Sequence, residues 1–252
     1  MNMKLVLSYD GSGYHGWQIQ KNAVTVQETV KNAVKRITGE DANIIGCGRT
    51  DTGVHAVNYV CNFKTNTTIP PESLRNAMNA NLPEDIICKS AEAAPENFHA
   101  SRSAVGKTYI YRILNAELPD VFERKYAWHY KYPIDIGRMR EAAEAFIGEH
   151  DFIGFASSGF TVKTTVRTIY SLDISESDGL IEIKVSGNGF LYNMVRIIAG
   201  TLVMMGGGRL DHTQAAEIIS SRDRKRAGIT APAHGLFLKE VYYGDERRKQ
   251  RS

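Results

Sequence analysis

The chain has 252 residues, and its 31 Lys and Arg against 28 Asp and Glu give a net charge of +3. Hydrophobic residues make up 42% of the sequence, which excludes a wholly disordered chain and permits a sizeable core. Three cysteines without CxxC spacing disfavour both a disulfide framework and a structural zinc site. Because no signal peptide and no apolar run of roughly 18 residues is visible, we expect a cytoplasmic protein without a membrane span.

One amphipathic helix is the clearest element of the first half. Val26, Val30 and Val34 recur at helical spacing and predict a helix over 25–37. Its first residue, Thr25, begins the T-x-x-E pattern of a capping box. Around this helix, alternating or apolar segments predict strands over 4–9, 43–47, 57–64 and 86–88, and a second helix over 72–79.

The second half mixes the same two kinds of element, and we expect the division between the halves near 103–106. A strand is predicted where Tyr109, Tyr111 and Ile113 alternate with other residues. Strands and helices do not alternate as regular βαβ units, so the pattern indicates an α+β fold. The predicted elements are a strand over 107–114, a helix over 136–147, paired strands over 166–174 and 180–185, and an apolar helix over 192–205.

The segment Gly46–Ala56, GCGRTDTGVHA, carries the densest set of reactive side chains. Arg49 and Asp51 are two residues apart, so in an extended segment they point the same way and the guanidinium keeps Asp51 ionised. An ionised, positioned carboxylate suits nucleophilic or general-base chemistry at a sugar carbon. A structural Asx turn with an Arg–Asp salt bridge fits the same residues. We interpret His55 as a residue that orders this loop rather than as a general base.

Basic residues cluster in three places, a pattern that suits contacts with RNA phosphates as well as a solvated surface. One cluster lies on the first predicted helix, and it is our first candidate for RNA contact. The three clusters are Lys31, Lys35 and Arg36; Arg222, Arg224, Lys225 and Arg226; and Arg247, Arg248, Lys249 and Arg251.

The segment GRTDTGVHA closely resembles the active-site motif of the tRNA pseudouridine synthase A family. Other segments are similar to that family's motifs and follow in its order, so that the resemblance spans roughly Leu5 to Tyr243. One departure is Ser101, where the family commonly has Arg; here Arg102 stands next to it. The further matching segments are YDGSGYHGWQ (9–18), TVQ (25–27), NLPEDI (81–86), FHA (98–100), KTYIY (107–111), HDF (150–152), GNGF (187–190), MVR (194–196) and TAP (230–232).

The resemblance implies an α+β fold of two similar ferredoxin-like α/β halves. Their antiparallel sheets would merge, helices would pack on one side, and the active cleft would lie between the halves. On this basis residues 1–105 form the half with the Asp51 loop and residues 106–245 form the half that completes the cleft. Residues 246–252 are expected to form a basic, flexible tail.

The resemblance also implies a chemistry: isomerisation of uridine to pseudouridine at positions 38, 39 and 40 of the tRNA anticodon stem-loop. It assigns Asp51 as the essential carboxylate, acting on the ribose of a flipped uridine. Attack on C1′ and removal of the C2′ proton both need an ionised carboxylate, and the sequence does not separate them. No redox step or phosphate transfer occurs, so no cofactor and no metal is expected.

Three further residues gain roles from the resemblance. Tyr109 is expected to stack on the target uracil. Its phenol is a candidate group for removing the C5 proton late in the reaction. Arg49 is expected to pair with Asp51 and to hold the flipped nucleotide. Arg196 lies in an apolar helix, where an unpaired charge is costly, so a carboxylate or phosphate partner is expected. The family resemblance further implies a homodimer in which one tRNA touches both subunits.

Competing classes make different demands on the sequence. A non-catalytic RNA-binding module would share the basic clusters but would not need Asp51 in a glycine-framed loop. A nucleotide-binding enzyme is suggested only by Gly11, Gly13 and Gly16, and no GxxxxGK[ST] segment is present. A metal enzyme has little support because no His or Cys pair has ligand spacing.

Overall fold

The computed structural model describes residues 1–159 and 162–244. The chain forms two compact units. Unit 1 contains Met1–Val105 together with the described residues from Phe237 onward, and unit 2 contains Gly106–Leu236. The predicted tail over 246–252, with the third basic cluster, lies outside the described residues.

Ten strands and five α-helices occur in the described residues. The strands are β1 (Asn2–Tyr9), β2 (Ile45–Gly46), β3 (His55–Lys64), β4 (Ile86–Ala94), β5 (Ala104–Leu114), β6 (Trp128–His129), β7 (Gly148–Asp151), β8 (Val166–Ser177), β9 (Leu180–Gly187) and β10 (Leu236–Tyr243). The helices are α1 (Val26–Thr38), α2 (Pro71–Asn81), α3 (Ile136–Glu144), α4 (Met194–Gly206) and α5 (Ala215–Ser221).

The strands of unit 1 lie in the order β4-β1-β3-β10, with β2 on the edge of β3. β1 pairs antiparallel with both β3 and β4, and Leu5 stands opposite Cys61. β10 is the one parallel neighbour of β3 in this unit, with Phe237 opposite His55. The last described strand therefore joins the sheet beside the first residues of β3.

Helix α1 has the caps that its sequence predicts. The Thr25 hydroxyl accepts a hydrogen bond from the backbone N–H of Glu28, and Gly39 ends the helix at φ +75°. Val26, Val30 and Val34 are fully buried, as their spacing indicates. Their burial removes one face of α1 from water and fixes the helix on the core of unit 1.

The strands of unit 2 lie in the order β5-β9-β8-β7, with β6 pairing parallel to β5. β8 and β9 form the predicted hairpin, and Ser177 stands opposite Leu180 across its turn. Asp178 and Gly179 occupy the turn with positive φ angles of 52° and 76°. Such angles suit the two-residue turns that favour Asp-Gly.

Helix α4 is apolar on nearly all sides because it runs through the core of unit 2. Its residues from Ile197 to Val203 are buried. Backbone from a later segment crosses it so closely that a Cβ on Gly200 would lie 1.9 Å from the carbonyl oxygen of Ile229. Gly228 donates its N–H to the Thr201 hydroxyl at 2.9 Å and completes the crossing.

The structure confirms the mixed α+β class that the sequence indicates. The short strands β6 and β7, the helix α5 and the terminal strand β10 are additional to the predicted elements. Unit 1 takes in the residues from Phe237 onward, which the sequence-based division had grouped with 106–245. Among the described residues, no helix is long and apolar enough to cross a membrane.

The crossing at α4 gives a first prediction, tested with Gly200→Ala. Alanine favours a helix by about 1 kcal/mol over glycine, whereas forcing a methyl group into packed backbone costs about 3 kcal/mol. We therefore expect the free energy of unfolding to fall by about 2 kcal/mol, measured by urea denaturation. Gly189→Ala is the control, because its nearest contact would be 3.7 Å away; equal stability of the two variants would contradict the prediction.

Candidate active site

Asp51 lies in the loop between β2 and β3, within unit 1. Its side chain is half-buried. Its backbone carbonyl accepts a hydrogen bond from the N–H of Val54 at 3.1 Å, so the chain turns directly after the carboxylate. The carboxylate therefore stands at the point where an extended segment changes direction into β3.

The segment after β1 holds this loop through its backbone. The N–H of Trp17 donates to the carbonyl of Thr50 at 3.1 Å, and the N–H of Gly53 donates to the carbonyl of Tyr14 at 3.3 Å. The hydroxyls of Tyr9 and Thr50 are hydrogen-bonded at 2.8 Å. Hydrogen bonds thus fix the residues on both sides of Asp51.

Two glycines of the same segment approach the loop too closely for any side chain. Gly16 has φ +80°, and a Cβ there would lie 2.4 Å from the carbonyl oxygen of Thr50. A Cβ on Gly11 would lie 2.0 Å from the carbonyl oxygen of Val54. These glycines serve backbone-to-backbone packing against the loop rather than a phosphate cradle.

Two aromatic side chains form the floor beneath the start of the loop. Trp17 stacks on Tyr59 with ring centroids 4.1 Å apart, and both are almost fully buried. The Tyr59 hydroxyl donates to the carbonyl of Gly48. Burial raises the pKa of Tyr59 well above its usual range, so its hydroxyl stays a donor at neutral pH.

His55 begins β3 and is only 1% exposed. Its Nδ1 accepts a hydrogen bond from the N–H of Gly11 at 3.1 Å, and an oxygen of Asp10 lies 3.1 Å from the same nitrogen. The ring stacks on Phe237 with centroids 4.7 Å apart. These contacts support the interpretation that His55 orders the loop.

Arg49 precedes Asp51 by two residues and is exposed, whereas Asp51 is half-buried. Residues two apart share a side only where the chain is extended, and the turn from Asp51 to Val54 begins at Asp51 itself. The expected pairing of Arg49 with Asp51 stays a prediction.

Tyr109 lies on β5 of unit 2 and is 9% exposed. Its ring meets Phe190 edge to face, with centroids 5.2 Å apart and an interplanar angle of 84°. Such a contact fixes the ring plane. Phe190 belongs to the connection between β9 and α4, so this connection supports Tyr109.

Arg196 lies in the first turn of α4, also in unit 2. Its Nε donates to the carbonyl of Ala231 at 2.7 Å, and another guanidinium nitrogen donates to the side-chain oxygen of Asn193 at 2.7 Å. These two neutral oxygens orient a half-buried guanidinium. A carboxylate or phosphate partner for Arg196 stays a prediction.

Most residues of the two described basic clusters are held by neighbouring protein groups. Such contacts order the fold and reduce what these residues offer to a ligand. The pairs are Lys31 with Asp41 (3.1 Å), Arg36 with Asn81, Arg222 with Asp151 (2.7 Å), Arg224 with the carbonyl of Gly228 (2.8 Å) and Arg226 with Glu217 (2.8 Å).

The three cysteines lie in the interior of unit 1. Cys47, Cys61 and Cys88 are buried and form no disulfide with one another. Burial raises the pKa of Cys88 to about 11 and that of Cys61 well above its usual range, so both are thiols at neutral pH. No group of three His, Cys, Asp or Glu side chains suited to a metal ion occurs in the part of the chain that the structure describes.

Comparison with known proteins identifies the class of enzyme to which this loop belongs. The family model described as tRNA pseudouridine synthase matches residues 5–102 and 142–244. A tRNA pseudouridine synthase A of Thermoanaerobacter sp. (strain X514) is 50% identical over 96% of this chain and 99% of its own length. The protein of the same name from Acetivibrio thermocellus is 48% identical over the same shares of the two chains.

These matches cover both units, and they confirm the resemblance read from the motifs. The chain belongs to the tRNA pseudouridine synthase family, whose members are isomerases that act on uridine in tRNA. Among solved structures, the crystal structure of a Cbf5-Nop10-Gar1 complex aligns with 95% of this chain and 59% of the other at 12% identity and a TM-score of 0.36. A likeness at that level supports no statement about this chain.

The sequence analysis did not identify Tyr9, Gly16 and Thr50 as parts of the site. All three fall inside segments that were quoted for the resemblance, but nothing in the sequence says which segment packs against which. The signal available was the glycine-rich run 10–16 itself, since glycines without a phosphate motif often mark close backbone approach.

The contact of Gly16 with the loop gives a second prediction. Gly16→Ala would push the Thr50 carbonyl away and displace Asp51, so we expect pseudouridine formation in tRNA to fall by about 10²-fold, the cost of a misplacement near 1 Å. The measurement is initial rate on unmodified tRNA, with circular dichroism to verify folding.

Gly39→Ala is the matched control. Gly39 has nearly the same φ, +75°, but nothing lies within 4 Å of its added Cβ. The two variants therefore share backbone strain and differ in the contact with the loop. Equal activities in the two variants would contradict the predicted role of Gly16.

Proposed function

We propose that this chain converts uridine to pseudouridine at positions 38, 39 and 40 of the tRNA anticodon stem-loop, with Asp51 as the essential carboxylate. The observation that carries the proposal is the fixed position of Asp51. Backbone hydrogen bonds on its two sides join Thr50 to Trp17 and Gly53 to Tyr14. Family membership supports the reaction, and the motif GRTDTGVHA supports the choice of residue. The three positions in the stem-loop rest on the resemblance.

In this reaction one carboxylate acts on the ribose, and the sugar is afterwards rejoined to the same base. The bond between uracil N1 and C1′ breaks, the base rotates, and a bond from C5 to C1′ forms. The proton lost from C5 is balanced by one gained at N1. Asp51 acts either by attack on C1′ or by removal of the C2′ proton, and both routes require its ionised form.

A single carboxylate distinguishes this chemistry from ordinary glycoside hydrolysis. Hydrolases use a pair of carboxyl groups, one of which activates water. An isomerase must keep water away from the reacting sugar, because water would trap it. A half-buried Asp51 behind a rigid backbone suits that demand, since the loop does not need to rearrange to present the carboxylate.

Tyr109 and Arg196 of unit 2 complete the proposed site. In this proposal the two halves join their sheets and enclose Asp51, Tyr109 and Arg196 in one cleft, as the resemblance implies. The edge-to-face contact with Phe190 supports a fixed ring plane at Tyr109, which is what stacking on a uracil needs. The two hydrogen bonds of Arg196 support a fixed cation for a carboxylate or phosphate.

In this proposal the role of Arg49 is to hold the flipped nucleotide. A uridine in a stem must leave the base stack before its sugar is reached, at a cost of a few kcal/mol. An exposed guanidinium two residues from Asp51 is available to an RNA phosphate or to the vacated stack. The reaction needs no cofactor and no metal in this proposal.

A third prediction tests the role of Asp51. Asp51→Asn keeps size and polarity but removes the charge, so we expect turnover to fall by several orders of magnitude while tRNA affinity stays within about threefold. The measurements are pseudouridine mapping after incubation with unmodified tRNA, and equilibrium tRNA binding.

Asp178→Asn serves as the control, since Asp178 is exposed in the β8–β9 turn of unit 2 and asparagine tolerates its positive φ. Full activity of Asp51→Asn would overturn the proposal. Binding without activity in the wild-type chain would instead favour a non-catalytic RNA-binding module.

We also propose that the enzyme is a cytoplasmic homodimer, as the family resemblance implies. A fourth prediction follows: sedimentation equilibrium should give twice the mass of one chain. A mass equal to that of one chain at micromolar concentration would contradict the dimer. It would not bear on the role of Asp51, which Asp51→Asn tests separately.

A further inference from the structure

An open cavity of about 580 Å³ lies in unit 1, away from the Asp51 loop. β3 leaves that loop at His55 and reaches the cavity at Asn62 and Lys64. At about 3.3 Å per residue, the cavity is roughly 25 Å along the strand from the loop. Its size falls within the range of ligand sites, and none of the proposed catalytic residues lines it.

The floor of the cavity is rigid because buried amides tie the segment 95–103 to the sheet. Asn2 donates to the carbonyls of Pro95 and Phe98, each at 2.9 Å. Asn62 accepts from the N–H of Ala100 at 2.8 Å. Both asparagines are almost fully buried, so this segment is held without help from a ligand.

The charges in the cavity do not cancel. Lys64 donates to Glu96 at 2.8 Å, and this contact lowers the pKa of the Glu96 carboxyl, so the two side chains neutralise each other. Arg102 also lines the cavity, and its guanidinium makes no hydrogen bond or ion pair with any described residue. One positive charge is therefore left over.

His99 adds a second donor of fixed orientation. Its Nδ1 accepts hydrogen bonds from the N–H groups of Ser101 and Arg102, at 3.3 and 3.2 Å. A nitrogen that accepts carries no proton, so the neutral ring bears its proton on Nε2. The amide of Asn43 supplies a further polar group at the wall.

An uncompensated guanidinium, a fixed N–H donor and an amide on a rigid floor form a site for a phosphate group. We propose that this cavity binds a phosphodiester of the tRNA backbone, at a distance from the uridine that reacts. The inference rests on the proposed function, because it takes the enzyme's RNA substrate as the source of the phosphate. A contact so far from the reacting sugar contributes to binding and not to the chemical step.

A fifth prediction tests this site through Arg102→Ala. We measure tRNA affinity across a series of KCl concentrations, together with kcat at saturating tRNA. Loss of one phosphate contact should weaken binding about three- to tenfold and reduce the slope of log K against log salt by about 0.7–0.9, with kcat unchanged. Arg102→Lys keeps the charge and should keep most of the slope.

Arg75→Ala is the control, because Arg75 is a half-buried arginine of the same unit that lies on α2 outside the cavity and is paired with Glu72 at 3.7 Å. An affinity and salt slope of Arg102→Ala equal to those of the wild type would overturn the proposal. A second result would also overturn the proposal: inorganic phosphate binds saturably, and Arg102→Ala abolishes that binding without changing tRNA affinity. The site would then bind a free anion rather than the tRNA backbone. Loss of kcat in Asp51→Asn is a separate result and decides the proposed function alone.

Discussion

The backbone contact between the segment 10–17 and the Asp51 loop is the constraint on which the rest of the site depends. Gly16 packs so closely against the Thr50 carbonyl that no Cβ would fit between them. The Trp17 N–H donates a hydrogen bond to the same carbonyl oxygen. A carboxylate on a free loop would sample many positions and would lose the advantage of preorganisation. Here main-chain hydrogen bonds hold the residues on both sides of Asp51, and buried aromatic side chains add to that support.

The elements that the sequence predicts best are those whose signals are local. Thr25 caps α1, and its valines are buried, because capping and helical periodicity act within a few residues. The β8–β9 hairpin follows from Asp178-Gly179 for the same reason. β6 has two residues and β7 four, too few for a periodic pattern to show. β10 pairs with a strand about 180 residues earlier, and that pairing leaves no local trace.

The candidate site shows the same division between local and long-range information. The motif around Asp51 is visible in the sequence, whereas the turn from Asp51 to Val54 that presents the carboxylate is not. The bond between the hydroxyls of Tyr9 and Thr50 joins residues 41 positions apart. Such contacts decide how a reactive residue is held, and one sequence without partners for comparison does not specify them.

Basic residues show how little a cluster in sequence says about binding. Arg222 and Arg226 have carboxylate partners, and Arg224 donates to the carbonyl of Gly228 within its own unit. Arg102 and Arg49 belong to none of the three clusters, yet both are exposed. Availability of charge, rather than its density along the chain, therefore guides the choice of candidate RNA contacts.

The parallel pairing of β10 with the start of β3 has a consequence for how the protein is made. Phe237 stacks on His55, which in turn accepts from Gly11, so the support of the Asp51 loop includes a strand that follows unit 2 in the chain. While a ribosome is still translating residues 106–236, unit 1 lacks that strand and His55 lacks its stacking partner Phe237. The nascent chain therefore completes the support of its reactive loop only after the whole of the second unit has been synthesised.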